Sequence, residues 1–400
     1  MSVDLTSLPP TLPNPKKFNF LFWGGVLIVF VVIGCITTFV LSFFYTIANL
    51  LFVFGALVLP VLIWVFIFLY GLYYRGYRET YIKQWNAYRD IRYQQLVNYA
   101  RRGLYVLYYN LTTEYSEYNN ANGIVNNRFV LITKRHPSGS SIIPHSALSL
   151  PNNVNSGDFY ERLEPLFKQW QQHYKSYFNQ LPSDLNIHVR FFIDSTSPIE
   201  NLENLWSQTV GSLIRTSSFK IEDTKSSSTF IEAWLDNSDH DDDLLLVISA
   251  HLFNSPTKNE GEFASLMLLA GERAVKTPFL STLQLPLVKV CRSEQTDSLS
   301  QTIDKALLWG NTDNKRFDGV WYGGISNDIN IQIMNHFNDI DFKPNGIFNI
   351  DTSIGSVGYS TYWLALALAV ENTLTTKNKQ FVIVGNPNIS AQVVEYLQGK

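Results

Sequence analysis

The groups able to do covalent or metal chemistry in this chain are few: seven histidines, two cysteines and scattered hydroxyls. A reactive thiolate needs a positive neighbour or a helix N-terminus. Cys35 instead lies in an uncharged apolar run, and Cys291 lies in PLVKVCRS, an apparent strand, where it reads as a buried structural thiol. Ser217 and Ser218 in IRTSSFK and Ser226 to Ser228 in KSSSTF offer hydroxyls, but no GxSxG elbow surrounds them, so they read as surface-loop serines. His251 follows the apolar run LLLVISA, a position at which α/β proteins place functional side chains. Gly355 and Gly358, in DTSIGSVGYST, open a helical stretch whose first N–H groups could hold an anion, although turn geometry explains the same glycines. His251, Gly355 and Gly358 together mark a candidate pocket. His240 sits among Asp239, Asp241, Asp242 and Asp243, but DNSDHDDD lacks the glycine and terminal glutamate of a calcium loop. It reads as an acidic surface turn, and neither a metal nor a cofactor is expected.

The elements that must position these residues begin with a membrane anchor. Residues 18–74 contain no Asp, Glu, Lys, Arg or His, a stretch too long for one crossing and about right for two. The polar residues of SFFYTIAN, from Ser42 to Asn49, mark the turn between two helices. A cleaved signal peptide fits poorly, because the apolar part is too long and no small-residue cleavage site precedes the next charge. Lys16 and Lys17 precede the hairpin, and Arg75 and Arg78 follow it. Basic flanks on both sides place the N-terminus and the C-terminal bulk in the cytoplasm. Membrane lipid is therefore the first expected partner. No ionisable side chain lies within the hairpin to carry an ion or proton.

Net charge is −3, and no like-charged block occurs outside the juxtamembrane region. Nucleic acid is excluded as a partner, since binding it needs a concentrated basic face. Two distant cysteines agree with a reducing compartment.

Five segments follow: a cytoplasmic tail over 1–17, the transmembrane hairpin over 18–74, a juxtamembrane helix over 75–104, a β-rich segment and linker over 105–150, and an α/β domain over 151–400. In the fourth, GLYVLYYNLTTEYS and NNRFVLITKR flank the turn-forming NNANG and read as a hairpin, and the Ser/Pro/Asn-rich 136–158 reads as a linker. In the fifth, helical spacing over 159–179, 202–213, 230–235, 298–309, 329–337 and 362–374 alternates with strands LNIHVRFFID, a run near Phe219, LLLVISAHLF, the hydrophobic run of EFASLMLLAG, PLVKVCR, Gly319 to Tyr322 and QFVIVGN. Apolar runs without polar alternation imply strands covered on both faces.

The segment order from Asp243 to Gln398 resembles the C-terminal half of a β-ketoacyl synthase, a thiolase-like α/β fold. EGEFASLMLLAGERAVK matches the family's Gly-Glu turn and hydrophobic strand. FDGVWYGGISND stands where the family has a strand ending in His-Gly-Thr-Gly-Thr, and IDTSIGSVGYST stands where Lys-Ser-x-x-Gly-His opens a long helix. The resemblance implies three degenerate positions. Tyr322 takes the place of the first histidine, Asp351 of the lysine and Ser356 of the second histidine. The family also needs a cysteine thiolate at a helix N-terminus upstream of both signatures, and no cysteine occupies one. The expectation is therefore a non-enzymatic domain. A homo-oligomer follows from the same resemblance, because thiolase folds bury a large dimer interface.

Hairpin, Tyr/Trp-rich cytoplasmic region and degenerate synthase-like domain together are similar to accessory membrane proteins of bacterial type VI secretion. That similarity implies a membrane adaptor at the bacterial inner membrane, with two spans, both ends cytoplasmic and a cytoplasmic protein partner from the secretion system. The alternative is a membrane-bound protein that binds acyl chains or acyl carriers, derived from a ketosynthase.

Overall fold

The computed structural model describes residues 3–15, 17–46, 48–136, 139, 141–148, 159–182, 185–194, 200–277, 280, 287–312 and 317–397. The chain divides into two compact units, Asp4–Leu96 and a body built from Val97 onward.

In the first unit, helix α1 (Phe20–Phe44) opens on Asn19, whose side chain accepts from the Phe22 N–H, and closes at the extended Tyr45. Helix α2 (Asn49–Ala100) follows, and both helices are long and apolar enough to cross a membrane. A π-turn at Phe54–Val58 interrupts α2. Its cause is Pro60, which has no N–H to offer the Ala56 carbonyl one turn earlier. The Cys35 thiol on α1 approaches that carbonyl instead, at 3.7 Å. The pairing of the helices depends on small residues, which let the backbones approach closely. A Cβ on Gly34 would stand 2.9 Å from the Ala56 oxygen, one on Gly55 2.9 Å from Thr38 Oγ1, and one on Gly71 2.8 Å from the Trp23 ring. Trp64 Nε1 donates to the Trp23 carbonyl at 3.1 Å. Further along α2, Asn86 holds both the N–H and the C=O of Leu12 (2.9 and 3.0 Å), and Arg89 donates to the Pro9 carbonyl (2.9 Å).

The body holds a ten-stranded sheet. Its strands are β1 (Gly103–Thr113), β2 (Ile187–Asp194), β3 (Thr216–Ile221), β4 (Leu244–His251), β5 (Phe263–Ala270), β6 (Leu287–Cys291), β7 (Gly319–Gly323), β8 (Gly346–Asn349), β9 (Gln380–Val384) and β10 (Ser390–Leu397). Its order is β8-β7-β9-β10-β6-β1-β5-β4-β2-β3. The order reveals a duplication. β1 to β5 are arranged β3-β2-β4-β5-β1 and β6 to β10 are arranged β8-β7-β9-β10-β6, so each strand of one half has a counterpart in the other. In both halves the second, third and fourth strands are parallel and the fifth is antiparallel to its neighbours. Where the halves meet, β1 pairs antiparallel with its own counterpart β6, as a local two-fold requires.

The helices obey the same duplication. After α3 (Asn120–Val125) come α4 (Phe159–Phe178), α5 (Glu200–Gln208) and α6 (Ser227–Asp236) in the first half. Then α7 (Leu299–Trp309), α8 (Asn327–Asp339), the short α9 (Ile350–Ser353) and α10 (Thr361–Thr376) follow in the second. One apolar cluster joins α4 and α5 to one face of β2, β4 and β5, and another joins α7 and α8 to one face of β7, β9 and β10. A third, central cluster places α6 and α10 between the two half-sheets. Residues 361–373 of α10 are all buried, as a helix apolar on every side must be. The result is an α/β body of five layers with a thiolase-like fold.

Two expectations need correction. The hairpin of GLYVLYYNLTTEYS with NNRFVLITKR does not form. NNANG becomes the start of α3, and β1 pairs with β5 and β6 from far along the chain. Burial explains this, since β1 is almost wholly covered and suits a sheet centre better than a two-stranded ribbon. The segment 105–150 is accordingly no separate piece, because its first strand lies in the middle of the sheet of the 151–400 domain; the boundary at 150/151 and much of the 136–158 linker lie outside the described residues.

Across this core runs a buried ion pair. Glu262, fully enclosed, accepts two bonds from Arg162 on α4 (2.7 and 2.5 Å) and the N–H groups of Leu148 and Phe253 (2.9 and 2.8 Å). Removing one member of such a pair strands a buried charge, so Glu262→Ala should lower the unfolding free energy by about 3–5 kcal/mol in denaturant titrations. In the hairpin, cysteines introduced as Thr38→Cys and Gly55→Cys should form a disulfide on oxidation, and adding Gly34→Leu should abolish it by pushing α1 away from Pro60.

Candidate functional site

Tyr322, Asp351 and Ser356, the three positions singled out by segment order, converge at the ends of second-half strands. Tyr322 is the penultimate residue of β7, Asp351 lies in α9 just after β8, and Ser356 lies in the loop leading to α10. β7 ends in Gly323 and is followed by Gly324 because the space there is taken. A Cβ on Gly323 would stand 2.7 Å from Thr361 Cγ2, and one on Gly324, at φ +66°, 2.5 Å from Asn386 Nδ2. The Gly324 N–H donates to Asp351 Oδ2 at 2.8 Å, and Asn386 Nδ2 donates to the Gly358 carbonyl at 3.2 Å. Asp351 Oδ1 is buried without a hydrogen-bond partner among the described residues. Burial holds the Asp351 carboxyl above its usual range, against the opposing Gly324 N–H. Burial likewise raises the Tyr322 phenol, with an opposing hydrogen bond to Asn349.

The candidate pocket residues meet the same loop. His251 ends β4, and its Nε2 lies 3.2 Å from Glu260 Oε1. Glu260 in turn bridges Ser356 through the backbone, and the Ser356 N–H donates to Asn259 at 2.8 Å. Gly355, at φ +107°, is required because a Cβ would stand 2.7 Å from the Gly261 nitrogen. Gly358 also has positive φ and starts the turn before α10. Of the topology residues, Lys17 and Arg78 are exposed and Arg75 lies 5.2 Å over the Phe18 ring, while Lys16 is outside the described residues.

The serines in KSSSTF stand differently from expectation. They are not in a surface loop: Ser226 immediately precedes α6 without a side-chain capping bond, and Ser227 and Ser228 are buried in its first turn. The turn before α6 packs against its duplicate before α10, with Lys225 Nζ 5.5 Å over the Tyr359 ring. This is a helix N-terminus, upstream of Tyr322, Asp351 and Ser356, that the fold sets beside the loop of Ser356. A repeat in the sequence points to it. Asp223-Thr224 follows β3 and Asp351-Thr352 follows β8, each leading through a hydroxyl-rich turn into an aromatic-bearing helix. The Ser226 hydroxyl donates to the Asp223 carbonyl at 2.7 Å, Ser227 to Thr224 at 2.6 Å, and Ser228 to Gln295 Oε1 at 3.3 Å. Cys291 is buried at the end of β6, and burial pushes its thiol up to about 12.

No protein-family model and no curated protein matches the chain. Solved structures do. The ishigamide ketosynthase/chain length factor is similar over 74% of this chain and 100% of its own, at 12% identity and a TM-score of 0.46. A type II PKS acyl-carrier protein in complex with its ketosynthase is similar over 74% and 100%, at 9% identity and a TM-score of 0.48. OleA from Xanthomonas campestris is similar over 74% and 98%, at 11% identity and a TM-score of 0.44.

The raised Asp351 pKa has a definite sign. Ionising this carboxyl costs folding stability as pH rises from its unfolded value of 3.8 through its higher folded value, and costs nothing well below 3.8. Asp351→Asn keeps an acceptor for Gly324 without the charge. The variant should therefore show a higher Tm than the parent at neutral pH, with the difference vanishing below the ordinary aspartate range, as thermal melts across pH would record.

Proposed function

We propose that this chain is a membrane-anchored adaptor whose thiolase-like body binds a cytoplasmic protein and performs no acyl transfer. One observation supports the reading: the positions matched to the family's signatures, Tyr322, Asp351 and Ser356, meet at adjoining strand ends and loops, and none of them bears a thiol or an imidazole. A thiolate and imidazoles are needed to take up an acyl group and stabilise its oxyanion. Here the helix N-terminus bears serines whose hydroxyls are committed to carbonyl acceptors, and the signature positions bear a phenol, a buried carboxyl and a hydroxyl. The soluble thiol nearest in sequence is enclosed in β6 and held in its neutral form.

The anchor supports the same reading. The N-terminal segment at Pro9–Leu12 bonds to Asn86 and Arg89, beyond the apolar part of α2, which favours two crossings with both flanks on one side. Basic residues on those flanks favour the cytoplasm as that side, and the likeness of the overall plan to type VI secretion accessory proteins is what suggests a bacterial inner membrane. The partner we propose is a component of a secretion apparatus of the type VI kind, the class of accessory membrane protein that the overall plan resembles, and the adaptor acts as a homo-oligomer.

Full-length protein incubated with acyl-CoA or charged acyl carrier protein should show no mass increment by intact mass spectrometry. Cross-linking in native membranes should recover secretion components with the parent chain. An acyl adduct lost in Ser226→Ala would overturn the reading and restore acyl chemistry to the α6 terminus.

A further inference from the structure

Well away from that site, the fold gathers a donor set that no sequence spacing announces. His188 is the second residue of β2, Asp243 immediately precedes β4, and His240 lies in the turn before it. His188 Nε2 and His240 Nδ1 both lie 3.1 Å from one oxygen, Asp243 Oδ2, and the three ligand atoms fall within 4.8 Å of one another. We propose that His188, His240 and Asp243 form a divalent-cation site, with zinc as the cation it suits best.

Three features favour a metal over a plain hydrogen-bonded triad. The first is convergence: two imidazole nitrogens meet a single carboxylate oxygen at 3.1 Å, with all three atoms within 4.8 Å, and ligands on a tetrahedral zinc stand about 3.3 Å apart. The second is an outer shell of the kind that orients metal ligands. His188 Nδ1 meets the Ser218 hydroxyl at 2.7 Å, which directs Nε2 at the site, and Asn186 Nδ2 donates to Asp243 Oδ1 at 3.2 Å, which leaves Oδ2 for the cation. His240 is stacked on Trp234, with ring centres 3.8 Å apart and planes 10° from parallel; Asn237 Nδ2 lies 3.3 Å from its Nε2, so cation binding at Nδ1 requires that amide to turn its oxygen to the Nε2 proton. The third is field. Asp239, Asp241 and Asp242 surround His240 in the chain, and the facing cations are Arg102 on Asp241, Arg273 on Asp242 and Arg190, which donates to the Ser218 hydroxyl at 3.0 Å. Both histidines keep some exposure, so water can complete the coordination, as in three-ligand zinc sites.

The site ties the start of β2 to the turn that enters β4, and His251 lies at the opposite end of β4, about 23 Å along the strand. Its role is thus to clamp the first half-sheet, separately from the loop at Ser356. A cation bound only by the folded state raises stability by mass action.

The test uses full-length protein in detergent micelles, stripped by chelator and titrated with zinc chloride or cobalt chloride alone. One equivalent should bind saturably, cobalt should show the visible bands of a tetrahedral centre, and zinc should raise Tm. His240→Ala, at a half-buried turn position, should abolish all three effects while keeping the parental circular dichroism. Asp243→Asn should do the same, and Ser218→Ala should weaken zinc by about 10–100-fold. Absence of saturable binding in the parent, or binding unchanged in His240→Ala, would overturn the proposal.

Discussion

The body depends on the pairing of β1 with β6. Four residue pairs, Gly103 to Val106 against Cys291 to Val288, join two half-sheets that otherwise share no strand. Close approach is possible because Gly103 has no side chain: a Cβ there would stand 2.9 Å from the Lys289 stem and closer still to the Val290 carbonyl. Because the joined strands are equivalent and antiparallel, everything attached to them is related by the same local two-fold. The helix after the third strand of each half therefore enters one shared central layer, and the turns before α6 and α10 meet. The loop around Ser356 sits beside a serine-led helix from the other half only because that seam exists.

Legibility in the sequence followed the range of the interactions involved. LLLVISAH and QFVIV were readable as buried strands because continuous apolar runs need no partner to identify them. The amphipathic spacing of α4, α7 and α8 was equally local. β1 was misread because NNANG is a strong turn signal and its true partners lie about 150 residues or more downstream. β8 and β10 escaped notice; the first has four residues, and the second mixes polar side chains into a buried run because Gln392 bonds the Tyr362 hydroxyl.

The site was half legible. Tyr322, Asp351 and Ser356 could be named from segment order, and the structure places all three at adjoining strand ends and loops. The serines of α6 could not be weighed without the duplication, although the paired Asp-Thr steps at 223 and 351 were present to be compared. His188 carries no local sign of its neighbours, since 52 residues separate it from His240 and only parallel pairing of β2 with β4 closes the distance.

The placement of β1 also sets an order of assembly. It is the first strand of the sheet to be synthesised, following directly on the long helix α2, yet both of its sheet neighbours are synthesised only after residue 262. For that interval the nascent chain holds a long apolar strand with two open edges, a form that invites mispairing and aggregation. Contacts this distant in sequence close slowly. Production of the protein thus places a demand on chaperones, one that falls away when β5 and then β6 emerge to cover the strand.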